Sequence, residues 1–331
     1  MTESWIQFLG AAETVTGSKH LMRHAGRSVL LDCGLFQGQK GLRLRNWAEP
    51  PFTPASIDAV ELSHAHLDHS GYLPTLVRRG FGGAIHCTPG TRDLLEILLL
   101  DAAHLQEEEA AYANRHGTSK HHPALPLFAE VDVPPVLARL RVHACGQAFE
   151  VVPGVRCAFR RAGHILGSAI SALELDGPKP TRLAYTGDLG RPGQAILRDP
   201  ERLREADVLL LESTYGDRLH APDPTEELAR AVREAAGRGG ALLIPTFAVG
   251  RAQTLIWLLR QLEEQERIPC LPVAIDSPMA NRVSEVTCRH EADLDEDMLR
   301  AMDERRCPLC CKRYELCTTV EESRALNDRS G

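Results

Sequence analysis

The sequence predicts an α/β protein with two domains, and three observations lead to this prediction. The chain has 331 residues, which exceeds the roughly 100–200 residues typical of one domain. Its first half alternates short apolar runs with turns, as successive strands do. After about residue 215, helical and strand patterns alternate, as in an α/β unit. We therefore place one domain at residues 1–214 and another at residues 215–331.

The first domain is predicted to be rich in short strands. Each candidate strand is an apolar or alternating run bounded by turn residues, and the candidates are residues 28–32, 57–62, 84–87, 148–152, 169–175, 182–186 and 208–212. After the third of these, Thr88 and Pro89 provide the cap and first residue of a helix that continues toward Asn114. Strands with helices packed outside them are the expected arrangement.

The second domain is predicted to alternate helices and strands. Asp223 and Glu226 form a capping box with Pro224 at the first helical position. The helix that they open should end near Gly237. A strand at residues 241–245, a helix at 251–265 and a strand at 271–275 follow.

Composition narrows the classes of protein. Lys plus Arg is 38 and Asp plus Glu is 45, which gives a net charge of −7, so no global basic field indicates a polyanionic partner. Neither a leader pattern nor an apolar run long enough to cross a bilayer is visible. We therefore expect a cytoplasmic protein with no membrane partner.

Most of the ten cysteines stand alone in the sequence, which is typical of reduced, buried thiols. The exception is a cluster with one C-x-x-C pair, formed by Cys307, Cys310, Cys311 and Cys317. This cluster lacks the long spacer usual between two pairs of zinc ligands. We favour a reduced, partly buried loop over a metal site there, and its role stays open.

Residues 63–71 read S-H-A-H-L-D-H-S-G and follow the apolar run 57–62. Their potential ligands stand at alternate and then adjacent positions, and they are His64, His66, Asp68 and His69. Such groups repel one another when charged and are costly to bury unpaired. Imidazole nitrogen and carboxylate oxygen are ligands that suit zinc. We therefore favour a metal site over a solvated polar loop.

Two further candidate ligands stand at the ends of apolar runs. They are His164 in A-G-H-I-L-G-S and Asp188 in Y-T-G-D-L-G. Each alone would more often be an ordinary turn residue. The flanking glycines favour a ligand, because they let backbone approach closely and leave the polar side chain presented.

Together these residues resemble the metallo-β-lactamase-fold hydrolases, with Asp32 in L-D-C-G as a further match. Other motifs are similar to those of one branch, the β-CASP nucleases that act on RNA. These motifs are G-A-A-E-T-V-T-G-S at 10–18, L-E-S-T-Y-G-D-R at 211–218, P-T-F-A-V-G-R-A-Q at 245–253 and D-S-P-M-A at 276–280. The resemblance implies an αββα sandwich at residues 1–214 with an inserted α/β β-CASP domain at 215–331.

The resemblance also implies two zinc sites. One ion would be bound by His64, His66 and His164, the other by Asp68 and His69, with Asp188 bridging both. Asp32 would orient a ligand through hydrogen bonds. Asp68 would also accept the proton of the attacking water, and Glu212 would orient a catalytic histidine supplied from farther along the chain.

The implied function is hydrolysis of RNA phosphodiester bonds through a hydroxide shared by two metal ions. Arg251 at a helix start and Ser277 after a strand are candidate RNA contacts. Hydrolysis of a thioester or a similar substrate is an alternative on this scaffold. A non-catalytic subunit of an RNA-processing assembly is another.

One feature departs from the family pattern. Family members continue beyond a segment like V-E-E-S-R-A-L-N to further histidines and a closing segment, whereas this sequence ends at Gly331. We therefore expect the second zinc site to lack one ligand and Glu212 to lack its histidine. We also expect weak RNA cleavage. Sheet edges left exposed would favour self-association, such as a homodimer.

Overall fold

The computed structural model describes residues 4–219, 224–303 and 308–328. These residues form two compact units. The first holds the described residues up to Arg191 together with Asp199–Thr214, and the second holds Pro192–Arg198 with the described residues from Tyr215 onward. Both contain strands and helices, which confirms the predicted α/β class.

One sheet of the first unit has six strands. In chain order they are β1 (Trp5–Phe8), β2 (His20–His24), β3 (Arg27–Leu31), β4 (Ala59–Glu61), β5 (Ala84–Cys87) and β6 (Leu140–Val142). They lie side by side in that same order. The first three are antiparallel, and β3 to β6 are parallel. Because β3 and β4 are parallel neighbours, the loops after them leave the same edge of the sheet.

A second sheet has five strands. They are β7 (Ala148–Val152), β8 (Val155–Arg161), β9 (Ala169–Leu175), β10 (Thr181–Tyr185) and β11 (Val208–Leu210). Their spatial order is β11-β10-β9-β8-β7, with only the β10–β11 pair parallel. Side chains of both sheets share one core, which includes Met22, Val29, Leu31, Val155, Phe159 and Leu173. The two sheets therefore pack face to face, as the sandwich prediction requires.

Five helices complete the first unit within the described residues. They are α1 (Lys40–Leu44), α2 (Leu67–Ser70), α3 (Leu73–Arg78), α4 (Pro89–His116) and α5 (Val133–Leu137). The predicted start of α4 is confirmed, since the Thr88 hydroxyl oxygen accepts the Thr91 amide at 3.3 Å. The helix ends at Gly117, whose φ of 62° favours glycine. None of the described helices combines the length and apolar character needed to cross a membrane.

Helices dominate the second unit. Its elements are α6 (Pro224–Gly237), α7 (Arg251–Glu264), β12 (Pro272–Ile275), α8 (Pro278–Arg289), α9 (Glu296–Asp303), β13 (Arg313–Leu316) and α10 (Val320–Leu326). β12 and β13 form a two-stranded parallel sheet. The core includes Val232, Ile256, Leu262, Leu294 and Met298. The predicted helices at 224–237 and 251–265 and the strand at 271–275 are confirmed to within one residue, whereas the capping residue Asp223 lies outside the described residues.

The predicted strand at residues 241–245 is wrong. The segment forms no strand, and its Leu242 and Leu243 side chains are 42% and 89% exposed. Apolar, β-prone residues become a strand only when a neighbouring backbone pairs with them, because packing and pairing decide strand formation more than propensity does. Within the described ranges no strand pairs with this segment.

The prediction of reduced cysteines holds in part. The thiols of Cys311 and Cys317 are reduced and buried, whereas Cys310 is disulfide-bonded. A reduced loop is therefore wrong for Cys310. Cys307 lies outside the described residues.

A fully buried glutamate lies in the first unit, on β4, where it contacts a strand of the other sheet. Glu61 is the last residue of β4, and the Cys157 thiol on β8 donates to its Oε1 at 2.6 Å. Burial is the main reason that the pKa of Glu61 rises from 4.5 to about 7. The folded state therefore binds the Glu61 proton more tightly than the unfolded chain does.

Stability should consequently decrease with pH in a way that depends on Glu61. The free energy of unfolding loses a contribution as pH rises from about 4.5 through about 7, on the order of 3 kcal/mol in total. Glu61→Gln should lack this contribution. Urea denaturation at pH 5 and pH 8 measures it as a change in the difference between parent and variant. The exposed control Glu150→Gln should show no such change, and a constant difference for Glu61→Gln would contradict the assignment.

Candidate metal centre

The ligand loop follows β4 and is held by close backbone contacts with the loop after β3 and with Ser18, which precedes β2. The Cys33 amide donates to the His69 carbonyl at 2.7 Å, and the Ser18 amide donates to the Asp68 carbonyl at 2.8 Å. A Cβ on Gly34 would lie 1.6 Å from that same Asp68 oxygen, so only glycine fits there. These contacts fix α2, which carries two of the predicted ligands.

Three imidazole nitrogens converge beside this loop. His64 Nε2 lies 3.1 Å from His66 Nδ1, which lies 3.3 Å from His164 Nε2. Asp188 Oδ2 lies 3.5 Å from the His164 nitrogen and 3.9 Å from the His64 nitrogen. Ligand atoms of the four residues all lie within 4.8 Å of one another. The structure thus brings together residues from three separate stretches of the sequence.

This donor set fits a divalent cation. A tetrahedral ion with Zn–N bonds of about 2.0–2.1 Å separates its ligand atoms by about 3.3 Å, close to the spacings between the three nitrogens. Burial first, and then the neighbouring histidines, hold the pKa of His64 well below its usual range. The same causes lower the pKa of His66 to about 3. Both rings are therefore neutral near pH 7 and offer lone pairs to a cation.

His69 has a different environment. Its Nδ1 donates to Asp32 Oδ2 at 2.6 Å, while its Nε2 lies 3.3 Å from Asp188 Oδ1. Burial opposes a charge on His69, but the two carboxylates outweigh it and raise its pKa well above 6.5. Asp68 Oδ2 is 3.7 Å from the same Nε2. Asp188 therefore directs one oxygen toward the three-histidine cluster and the other toward His69 and Asp68.

Asp32 lies behind His69 at the centre of a buried hydrogen-bond network. The Ser63 amide donates to its Oδ1 at 2.8 Å, and the Ser63 hydroxyl donates to its Oδ2 at 2.9 Å. Ser18 and Tyr185 donate their hydroxyls to Oδ2 as well. These donors hold the Asp32 carboxylate against His69 Nδ1, and its role in orienting a metal ligand stays a prediction.

The sequence analysis missed three members of this network. Ser63 directly precedes His64, Ser18 ends the glycine-rich stretch 10–18, and Tyr185 ends β10 three residues before Asp188. Their adjacency to motif residues was the available signal. It was not sufficient, because a buried hydroxyl at a strand end is usually a packing residue.

The His164 loop is also positioned by close backbone packing. The hydroxyls of Thr88 and Thr91 both donate to the Gly167 carbonyl, at 2.5 and 2.9 Å. A Cβ on Gly190 would lie 1.9 Å from the Gly163 carbonyl oxygen. The two glycine-flanked ligands, His164 and Asp188, are thus held on loops that contact each other, as the flanking glycines suggested.

The remaining predicted site residues occupy other places. Glu212 accepts the Leu189 amide at 3.3 Å and the Thr214 amide at 2.7 Å, so it supports the loop after Asp188. Arg251 begins α7 in the second unit. There Ser277 caps α8, and its Oγ accepts the Ala280 amide at 3.1 Å. The roles of these three residues toward RNA or a histidine stay predictions.

Comparison with known proteins adds to this geometry. Residues 27–246 match the family model that is described as a Beta-lactamase superfamily domain. Residues 252–331 match the family model that is described as a Beta-Casp domain. Together the two matches contain every predicted site residue except Arg251, which lies between them.

Curated relatives give the same result. The chain is 38% identical over 324 residues to ribonuclease TTHA0252 of Thermus thermophilus, covering 97% of this chain and 69% of the relative. It is 34% identical to the transcription termination factor FttA of Methanocaldococcus jannaschii, covering 78% of this chain and 39% of that protein. FttA of Methanothermobacter thermautotrophicus is 35% identical, with 75% and 38% covered. The chain thus spans about two fifths of the FttA proteins, and it belongs to the metallo-β-lactamase superfamily with a β-CASP domain.

Proposed function

We propose that this protein is a metal-dependent nuclease that hydrolyses RNA phosphodiester bonds. The observation that carries the proposal is the convergence of three imidazoles and one carboxylate in a chain of this family. A ribonuclease that shares 38% identity over 97% of the chain supports RNA as the substrate. A cytoplasmic location and a homodimer stay predictions.

The ligand assignment follows the geometry of the first unit. We assign His64, His66 and His164 to one zinc ion, and His69 with Asp68 to the other. Asp188 would contribute one oxygen to each ion, because its two oxygens face the two groups of histidines at 3.3–3.9 Å. The proton that His69 Nε2 now shares with Asp188 would be released when the second cation binds.

Metal ions bound here would lower the pKa of a coordinated water toward about 7 and stabilise charge on the phosphoryl oxygens. The protein supplies the proton acceptor and the fixed geometry. Asp68 is the acceptor, because its carboxylate borders the His69 group and its side chain is 23% exposed, within reach of water. Asp32 holds the proton on Nδ1 of His69, so Nε2 is the nitrogen that would bind a cation once its own proton is released.

Two other functions remain open to test. Enzymes with this fold can hydrolyse thioesters or similar substrates, and fold alone does not decide the substrate. A subunit without catalytic activity is the other alternative. The match of residues 252–331 to a Beta-Casp domain favours RNA over a thioester, and the cluster of three histidines and Asp188 favours a catalytic protein over a non-catalytic subunit.

Metal content gives the first test. Elemental analysis of protein purified without added metal should find about one or more equivalents of zinc per chain. His64→Ala should lose about one equivalent, because it removes one of three nitrogens in the cluster. His104→Ala, which replaces an exposed histidine on α4, should keep the parent content. Metal-free parent protein with an intact circular dichroism spectrum would contradict the assignment.

The network behind His69 gives the second test. Asp32→Asn should weaken metal binding about 10–100-fold, because outer partners of ligating histidines contribute on that scale. Tyr185→Phe removes only one of the donors to Asp32 and should have a smaller effect in the same direction. Competition with a chromogenic chelator measures both affinities. The surface control Asp58→Asn should behave as the parent, and parent-like affinity in Asp32→Asn would refute the orienting role.

The bridging carboxylate gives the third test. Asp188→Asn removes the negative charge shared by the two groups and should reduce cleavage of labelled single-stranded RNA by at least about 100-fold. Asp176→Asn, at an exposed site beside Arg156, is the matched control. A chromogenic thioester measured in parallel separates the alternatives. Thioester turnover without RNA cleavage would overturn the proposed function, and full RNA cleavage by Asp188→Asn would overturn the metal mechanism.

A further inference from the structure

A short basic segment lies directly beside the metal centre, and none of its cations is among the predicted metal ligands. Residues 33–48 contain three cations, Lys40, Arg43 and Arg45, and no carboxylate. The whole chain, by contrast, has a net charge of −7. The segment is therefore a local positive region in a negatively charged protein.

The exposed side chains of this segment share one helical face. Lys40, Arg43, Leu44 and Trp47 are spaced i, i+3, i+4 and i+7, and hydrogen bonds from the Asn46 and Trp47 amides continue the turn beyond α1. All four are exposed, with Leu44 at 57% and Trp47 at 53%. We call these four residues the α1 face. Within the part of the chain that the structure describes, neither Lys40 nor Arg43 forms an ion pair.

The opposite side of the segment is firmly anchored. Asn46 is buried, and its side chain accepts the Phe36 amide at 2.9 Å and donates to the Phe36 carbonyl at 2.8 Å. The Phe36 ring lies between two cations, with the Arg45 guanidinium carbon at 4.0 Å and Lys19 Nζ at 4.6 Å from its centroid. Arg45 also donates to the Leu9 carbonyl at 2.9 Å. The α1 face is thus presented on a fixed base.

The same base connects the α1 face to the metal centre. The Leu35 amide donates to the carbonyl of Leu67, the first residue of α2, at 2.8 Å. The Gln37 amide donates to Thr16 Oγ1 at 3.1 Å, on the stretch that also supplies Ser18 to the Asp32 network. The α1 face and the ligand-bearing helix α2 are therefore held on the same base.

We propose that the α1 face binds single-stranded RNA, with Trp47 stacking on an unpaired base and with Lys40 and Arg43 contacting phosphates. An exposed aromatic ring beside unpaired cations is the combination that binds single strands without sequence preference. A duplex would not present a free base face to Trp47. Cations on an exposed helical face with no carboxylate partner are available to phosphate. The inference rests on the proposed function and adds the path of the substrate strand.

The binding test uses fluorescence anisotropy with a labelled single-stranded oligoribonucleotide at several salt concentrations. Lys40→Gln with Arg43→Gln should weaken binding about tenfold and reduce the salt slope by about 1.4, because each phosphate contact contributes about 0.7. Trp47→Ala should weaken binding about tenfold, and Trp47→Phe should restore it. Arg27→Gln with Arg156→Gln also removes two surface cations, but ones paired with carboxylates, and should leave both quantities unchanged.

A small substrate separates binding from chemistry. All variants should hydrolyse bis(p-nitrophenyl) phosphate as the parent does, since it reaches the metal centre without crossing the α1 face. Parent-like affinity and salt slope in the Lys40/Arg43 variant would overturn the inference, even if Trp47→Ala failed to fold. RNA binding without RNA cleavage by the parent would refute the proposed function alone. A parent that binds no RNA would refute both.

Discussion

The buried carboxylate of Asp32 is the group on which the metal centre depends. It stands at the end of β3 with a left-handed φ of 59° and accepts hydrogen bonds from the ligand loop, from His69 and from Tyr185 at the end of β10. Strand ends of both sheets therefore meet at one side chain. A buried carboxylate is costly unless donors satisfy it, so loss of any of these donors would disturb the position of His69.

The same carboxylates separate the histidines into two electrostatic classes. His64 and His66 face each other and His164, and burial with mutual repulsion keeps their pKa values low. His69 lies between Asp32 and Asp188, which raise its pKa despite burial. Sequence spacing alone treats these histidines as equivalent. In the fold, one group presents lone pairs immediately, while the other must lose a proton before it can bind a cation.

The residues of the histidine and aspartate cluster could be singled out from the sequence because they lie in short local patterns, two of them with flanking glycines. The strand at 241–245 could not be judged in this way, since its existence depends on a partner that no local pattern specifies. Ser18 and Tyr185 meet across 167 positions of the chain. Their meeting follows from the pairing of the two sheets and not from any feature of either residue. Local chemistry was therefore readable from the sequence, whereas long-range support of that chemistry was not.

The net charge of the chain does not decide, for a related reason, whether it can bind a polyanion such as RNA. Charges are screened beyond about 8 Å at physiological ionic strength, so a phosphate at the α1 face responds mainly to Lys40, Arg43 and Arg45. The 45 acidic residues of the chain lower this local field only where they lie nearby, and Glu49, the first carboxylate after the segment, is paired with Arg79 at 2.8 Å. A negative total charge reduces non-specific attraction to nucleic acid. When non-specific attraction is weak, RNA binding depends mainly on the proposed short basic surface beside the metal centre, the α1 face.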